Sequence, residues 1–132
     1  MVRSTKIQFY MQLTEKMKER STCKRLQVGC MIMNEEMTQI LSMGYNGNYK
    51  GGPNECDSEE AGNCGCIHAE VNALIKPRSS EGMIMFITDS PCVSCAKLII
   101  NAGIKTVYYK NEYRIKDGLV LLRNNGITAY QT

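Results

Sequence analysis

MIMFITDSPCVSCAKLIINAG, running from Met83 to Gly103, is the stretch whose reading decides the fold. Met83 to Thr88 is a short, almost unbroken apolar run, the pattern of a strand buried on both faces. Asp89-Ser90-Pro91 turns the chain, and a helix runs from about Cys92 to Ala102, closed by Gly103 in the position that favours glycine. Ile104 to Tyr109 is a second strand, so the unit reads strand, helix, strand. Such alternation places the strands in parallel through a right-handed crossover.

Outward from this unit the other elements fall into order. Upstream, His68 to Lys76 reads as a helix stopped by Pro77. Val28 to Met33 and Ile40 to Gly44 are two apolar runs around Asn34-Glu35-Glu36, an antiparallel hairpin of buried strands. The methionines of these strand regions (Met31, Met33, Met37, Met43, Met83, Met85) read as core filling. Ser4 to Arg20 places Ile7, Tyr10, Met11, Leu13 and Met17 at helical spacing behind a Ser4 N-cap. Downstream, Gly118 to Arg123 is helical and Gly126 to Tyr130 is a last strand. The sum is one domain over residues 1–132, a three-layer α/β/α sandwich on a mixed five-stranded sheet. Its longest irregular stretch, Gly44 to Ile67, is long enough to be functional or tied down.

Composition narrows the setting. A chain of 132 residues with 43% hydrophobic content can bury a real core. No apolar run approaches a membrane span, and the first residues lack the apolar region of a secretory signal, so the expected location is cytoplasmic. A net charge of +3, scattered along the chain, suits a phosphorylated small molecule better than polymeric nucleic acid. Seven cysteines without an export signal point to metal binding or free thiols rather than disulfides.

Two segments carry chemistry. His68-Ala69-Glu70 and Pro91-Cys92-Val93-Ser94-Cys95 each open a predicted helix. One imidazole and two thiolates give zinc three protein ligands and leave a fourth position for water, as a catalytic zinc requires. Glu70, two residues after a ligand, is placed to carry protons between that water and a substrate nitrogen. His68 is the only histidine, so any His-ligated metal must use it. A lone Cys-x-x-Cys also fits a redox pair or half a structural zinc site, but neither explains His68 and Glu70. The four residue types together match the H-x-E…P-C-x-x-C signature of zinc nucleobase deaminases.

The chain resembles the deoxycytidylate (dCMP) deaminases of the cytidine deaminase-like superfamily, most of all the short phage-type enzymes. Beyond the zinc motif, the resemblance rests on Ser21-Thr22-Cys23-Lys24-Arg25-Leu26-Gln27-Val28-Gly29 and on the loop Gly44-Tyr45-Asn46-Gly47. It extends over His68 to Ala73, Ser90 to Ile100 and Gly103-Ile104-Lys105. It implies hydrolysis of dCMP to dUMP and ammonia, supplying dUMP for thymidylate synthesis. Zinc on His68, Cys92 and Cys95 would activate water, with Glu70 moving protons. Asn46 would hold the sugar, Arg25 the 5′-phosphate, and Ala69 would also contact substrate. Arg25 suits its task because a planar guanidinium pairs with two phosphate oxygens. Tyr113 and Lys116 are further candidates for the phosphate end.

The same resemblance implies a second, structural zinc on Cys23, Cys56, Cys64 and Cys66, a closed four-thiolate site able to pin the long loop. It implies a homo-hexamer, host cytoplasm if the gene is phage-borne, and effector nucleotides. Those are dCTP with Mg²⁺ as activator and dTTP as inhibitor, on a neighbouring site that includes Gly44, Tyr45, Asn46 and Gly47. The chain departs from many relatives at Gly47-Asn48-Tyr49-Lys50, where they carry a proline, and in a compact loop before His68. Rival readings are a deaminase that also takes dCTP, a tRNA adenosine deaminase and a non-catalytic zinc module. The tRNA enzyme would need a basic RNA-binding face, and the module leaves Glu70 without a purpose.

Overall fold

In the computed structural model, which describes residues 2–58, 60 and 64–132, Thr5 rather than Ser4 caps the first helix, α1 (Lys6–Met17). The Thr5 hydroxyl accepts from the Gln8 amide at 3.1 Å, and the Gln8 side chain accepts from the Thr5 amide at 3.0 Å. That reciprocal pair needs a three-residue spacing to Gln8, which Ser4 lacks. After one turn of 3₁₀ helix (Lys18–Arg20) come β1 (Gly29–Met33), β2 (Ile40–Tyr45), α2 (Ala69–Leu74) and β3 (Ile84–Asp89). Then follow α3 (Val93–Ala102), β4 (Thr106–Asn111), α4 (Asp117–Asn124) and β5 (Thr128–Gln131).

The five strands form one sheet in the order β2-β1-β3-β4-β5. β1 pairs antiparallel with both β2 and β3, while β3, β4 and β5 run parallel, so the sheet is mixed as expected. Alternation along the central strands divides the core. Met31, Met33, Ile84 and Phe86 point to one face and meet Met11 of α1. Cys30, Ile32, Met85 and Ile87 point to the other, against Ala69 and Ala73 of α2, Ala96 and Ile99 of α3, and Leu119 and Leu122 of α4. One helix on one face and three on the other make the three layers.

β2 is not a buried strand. It lies at the sheet edge and alternates between exposed and buried residues, so Met43 is 46% exposed instead of filling the core. A strand is buried on both faces only if a layer covers each; α2 covers one face of β2, while α1 packs on β1 and β3. Met31, Met33 and Met85 are fully buried. α2 is shorter than the sequence implies, ending at Leu74 before the Pro77 stop.

Two glycines bring the site's elements together. A β-carbon on Gly44 of β2 would stand 2.5 Å from the Ala69 carbonyl and 2.7 Å from the Ala73 amide, so α2 rests directly on the strand backbone. A β-carbon on Gly118 would stand 2.0 Å from the Pro91 carbonyl, so α4 abuts the turn that opens α3.

Candidate active site

His68 and Cys92 are the N-cap residues of α2 and α3, and Cys95 lies in the first turn of α3. The strand-to-helix turn after β3 therefore delivers both thiols beside the start of α2. The His68 Nδ1 is 3.2 Å from the Cys95 Sγ and 3.6 Å from the Cys92 Sγ, and all three donor atoms lie within 4.8 Å of one another. Donors about 3.2–3.8 Å apart are what a tetrahedral zinc with bonds near 2.0–2.3 Å requires. The donor set is also zinc's own, one borderline nitrogen and two soft sulfurs. Cys95 is buried, whereas His68 and Cys92 reach the open side of the cleft. Hydrogen bonds from Cys95 and then His68 pull the Cys92 thiol down to about 3, so it is a thiolate at neutral pH. The Cys92 partner holds the His68 imidazole above its ordinary range, against the pull of burial.

Glu70 follows on α2, only 4% exposed and beside the Cys95 thiol. Burial pushes its carboxyl up to about 7, outweighing the backbone hydrogen bond and the His68 charge that favour ionisation. A carboxyl so placed can both accept and return a proton near neutral pH.

A cleft opens over these residues, and Ala69 forms part of its floor. Upstream residues Arg25, Leu26, Val28 and Asn46 build one wall; Asp89, Ser90 and Tyr113 build another. The Tyr113 amide donates to the Ser90 hydroxyl at 2.7 Å, which holds the segment after β4 against the end of β3. The Asn46 side chain is heavily committed: its Oδ1 is 2.6 Å from the Ser21 Oγ and 2.8 Å from the Val28 amide, and its Nδ2 donates to the Leu26 carbonyl at 2.7 Å. What it retains for a ligand is one N–H. Gly47 and Ile67 form a β-bridge through two backbone hydrogen bonds, 3.1 and 2.7 Å, that ties the loop 44–47 to the residue before His68.

Other residues singled out in the sequence lie apart from the His68, Cys92 and Cys95 cluster. Gly44 and Tyr45 belong to β2 and do not line the cleft. Lys116 pairs with Glu112 at 3.3 Å and stays outside the cleft lining. Cys23, Cys56 and Cys66 meet in a second cluster, with Cys56 Sγ 3.7 Å from Cys23 Sγ and 3.5 Å from Cys66 Sγ. Cys23 and Cys66 line the cleft, as does Cys64, but Cys64 is not gathered with the other three, so among the described residues the cluster has three thiols rather than four. Cys30 is fully buried in β1. Sequence reasoning gave Ser21, Asp89 and Ser90 no role in the site. Asp89 and Ser90 stand at the carboxyl end of parallel strand β3, where open α/β sheets place ligands, and that rule was the available signal.

The sequence profile for the cytidine and deoxycytidylate deaminase zinc-binding region matches residues 4–111. The crystal structure of dCMP deaminase from the cyanophage S-TIM5 in complex with dCMP and dUMP superposes with a TM-score of 0.87 at 36% identity, over 99% of this chain and 100% of that one. ComE operon protein 2 of Bacillus subtilis is 35% identical over 94% of this chain and 69% of its own length. Deoxycytidylate deaminase of Saccharomyces cerevisiae is 32% identical over 93% of this chain, which spans only 43% of the yeast protein.

Proposed function

Because the chain belongs to the zinc-binding cytidine and deoxycytidylate deaminase family, we propose that it hydrolyses the 4-amino group of dCMP, yielding dUMP and ammonia for thymidylate synthesis. One observation carries this reading: a single cleft joins His68, Glu70 and Cys92 to Arg25 and Asn46. The full-length similarity to a phage dCMP deaminase supports the same substrate.

His68, Cys92 and Cys95 would hold zinc, which would supply a water acidic enough to serve as nucleophile near neutral pH. Glu70 is placed to take a proton from the attacking water and to give it to ring N3 of the base. It would then carry the proton of the new C4 hydroxyl to the amino group, so that the C4–N4 bond breaks, the C4 carbonyl forms and ammonia leaves. The remaining N–H of Asn46 donates to a sugar oxygen. Arg25, exposed at the cleft rim, takes the 5′-phosphate, with Tyr113 on the facing wall. Ala69 contributes to the floor on which the base lies. Lys116, paired with Glu112, acts on the phosphate only as a distant charge.

The same reading carries finer parts. The Cys23, Cys56 and Cys66 thiols hold a second, structural zinc, and their mutual distances support it. The chain works as a homo-hexamer, with dCTP and Mg²⁺ or dTTP acting near Gly44–Gly47; exposed Ile75 and Leu98 offer apolar area for contact between copies. Metal analysis giving one zinc per chain would remove the second site, and light scattering reads the hexamer.

The test is ammonia release by the zinc-loaded protein from dCMP, dCTP, deoxycytidine and an adenosine-bearing tRNA. dCMP should be preferred over deoxycytidine by roughly tenfold or more, the worth of one charged phosphate contact. Equal use of deoxycytidine would defeat the phosphate role of Arg25, and activity on tRNA alone would replace the reading.

A further inference from the structure

The segment between Ser21 and Val28 carries Arg25 on an exposed apex. Residues 24 to 27 are all exposed, Leu26 only partly at 40%, and the Lys24 amide donates to the Cys56 Sγ at 3.3 Å. What fixes the rest of the loop is a buried polar node beneath it. Ser21 is 8% exposed and Asn46 is 7% exposed. The Ser21 hydroxyl donates to Asn46, lying 2.6 Å from its Oδ1 and 2.8 Å from its carbonyl oxygen, and it accepts from the Cys23 amide at 3.2 Å. The Asn46 amide then clasps the far end of the loop through the Val28 amide and the Leu26 carbonyl, at 2.8 and 2.7 Å. The Gln27 side chain donates back to the Ser21 carbonyl at 3.3 Å, closing the ring.

The node also sets which way the Asn46 amide faces. With the amide reversed, its NH₂ would oppose the Val28 N–H, donor against donor, and the Leu26 carbonyl would face an oxygen. Ser21 adds a second donor to the same Oδ1, so both acceptor sites of that oxygen are used. The Val28 amide and the Leu26 carbonyl alone already fix that orientation, so what Ser21 adds is the spacing at which the loop ends are held.

We infer that Ser21 is a positioning residue for nucleotide recognition: through Asn46 it orders the loop that presents Arg25 to the 5′-phosphate. This rests on the phosphate role proposed for Arg25. Ser21 touches no substrate itself. Loss of its hydroxyl loosens the loop and leaves the Cys23 amide without that partner, while His68, Glu70, Cys92 and Cys95 keep their own supports.

A double-mutant cycle on the zinc-loaded protein tests it, with dCMP and deoxycytidine as substrates and Ser21→Ala, Arg25→Ala and the double variant compared. Ser21→Ala should raise KM for dCMP about tenfold, a hydrogen bond's worth, with kcat within about twofold. In the Arg25→Ala background the same change should raise it less than about twofold, because the loop then presents nothing. If Ser21→Ala lowers kcat, or raises KM equally for both substrates, Ser21 is merely structural and the inference fails. If Arg25→Ala leaves the preference for dCMP over deoxycytidine intact, it is the phosphate reading that fails, whatever Ser21 does. Should Ser21→Ala not fold, amide exchange in the unaltered protein decides. The Cys23 and Val28 amides should exchange at least tenfold more slowly than those of Arg25 and Gln27, and equal rates would overturn the node.

Discussion

Cys95 shows how much one residue can be asked to do. It is 1% exposed in the first turn of α3, 3.2 Å from the His68 ring, and it abuts Glu70. Serine in its place offers a harder, more weakly coordinating oxygen to a soft site. Cys95→Ser is therefore expected to weaken zinc binding by more than about a hundredfold and to take turnover with it. Zinc analysis after dialysis checks this; full occupancy would remove Cys95 from the ligand set. His68, Glu70, Cys92 and Cys95 were legible as candidates because residue type and spacing suggest their chemistry without reference to the rest of the fold, and the fold brings them together. Ser21 was not. A serine's role depends on what lies opposite, and Asn46 is 25 positions away. Cys64 was assigned to the second cluster by the resemblance alone, and the loop geometry gathers Cys23, Cys56 and Cys66 without it.

At the scale of the elements, the site depends on α2 lying on β2. Gly44→Ala places a methyl 2.5 Å from the Ala69 carbonyl, backbone against backbone, and neither can turn aside. A loss of about 3 kcal/mol is expected in urea unfolding, the upper range for an overpacked contact, and an unchanged midpoint would show that α2 can shift freely. The end of β3 offers a second test. Burial holds the Asp89 carboxyl above its ordinary range, against the Thr88 hydroxyl and the Lys18 charge. The folded chain then holds that proton more tightly than the unfolded one, so ionising Asp89 costs stability as pH rises from about 4 through the folded value. Asp89→Asn should therefore match the parent's stability near pH 4 and exceed it at pH 7. An equal difference at both pH values would contradict this. Element order and type were readable from apolar runs and from punctuation by glycine and proline. The exposure of β2 was not, because an edge position is decided by which strands pair, and the apolar run looks the same in either place.

For the whole molecule, zinc on the proposed ligands would join elements that the chain leaves apart. His68 precedes α2 and the cysteines open α3, with β3 between them in sequence. Metal held at a thousand times its dissociation constant adds about 4 kcal/mol to folding. Chelation should lower the urea midpoint of the parent protein by more than that of Cys95→Ser, in which only the Cys23, Cys56 and Cys66 cluster has metal to lose; equal drops in both would place the stabilising metal elsewhere. Among the described residues no helix is long and apolar enough to cross a membrane. The three-layer arrangement was legible as a whole, whereas the upstream wall of the cleft came only from the resemblance. Residues 21–28 and 46 come together through side-chain hydrogen bonds that no periodicity announces. The central claim is that three residues hold the metal while Glu70 moves the protons. Turnover of dCMP by zinc-loaded Glu70→Gln tests it most directly. The account predicts parental zinc content with turnover reduced by about a thousandfold or more, and a variant that keeps its zinc and still deaminates at the parental rate would contradict it.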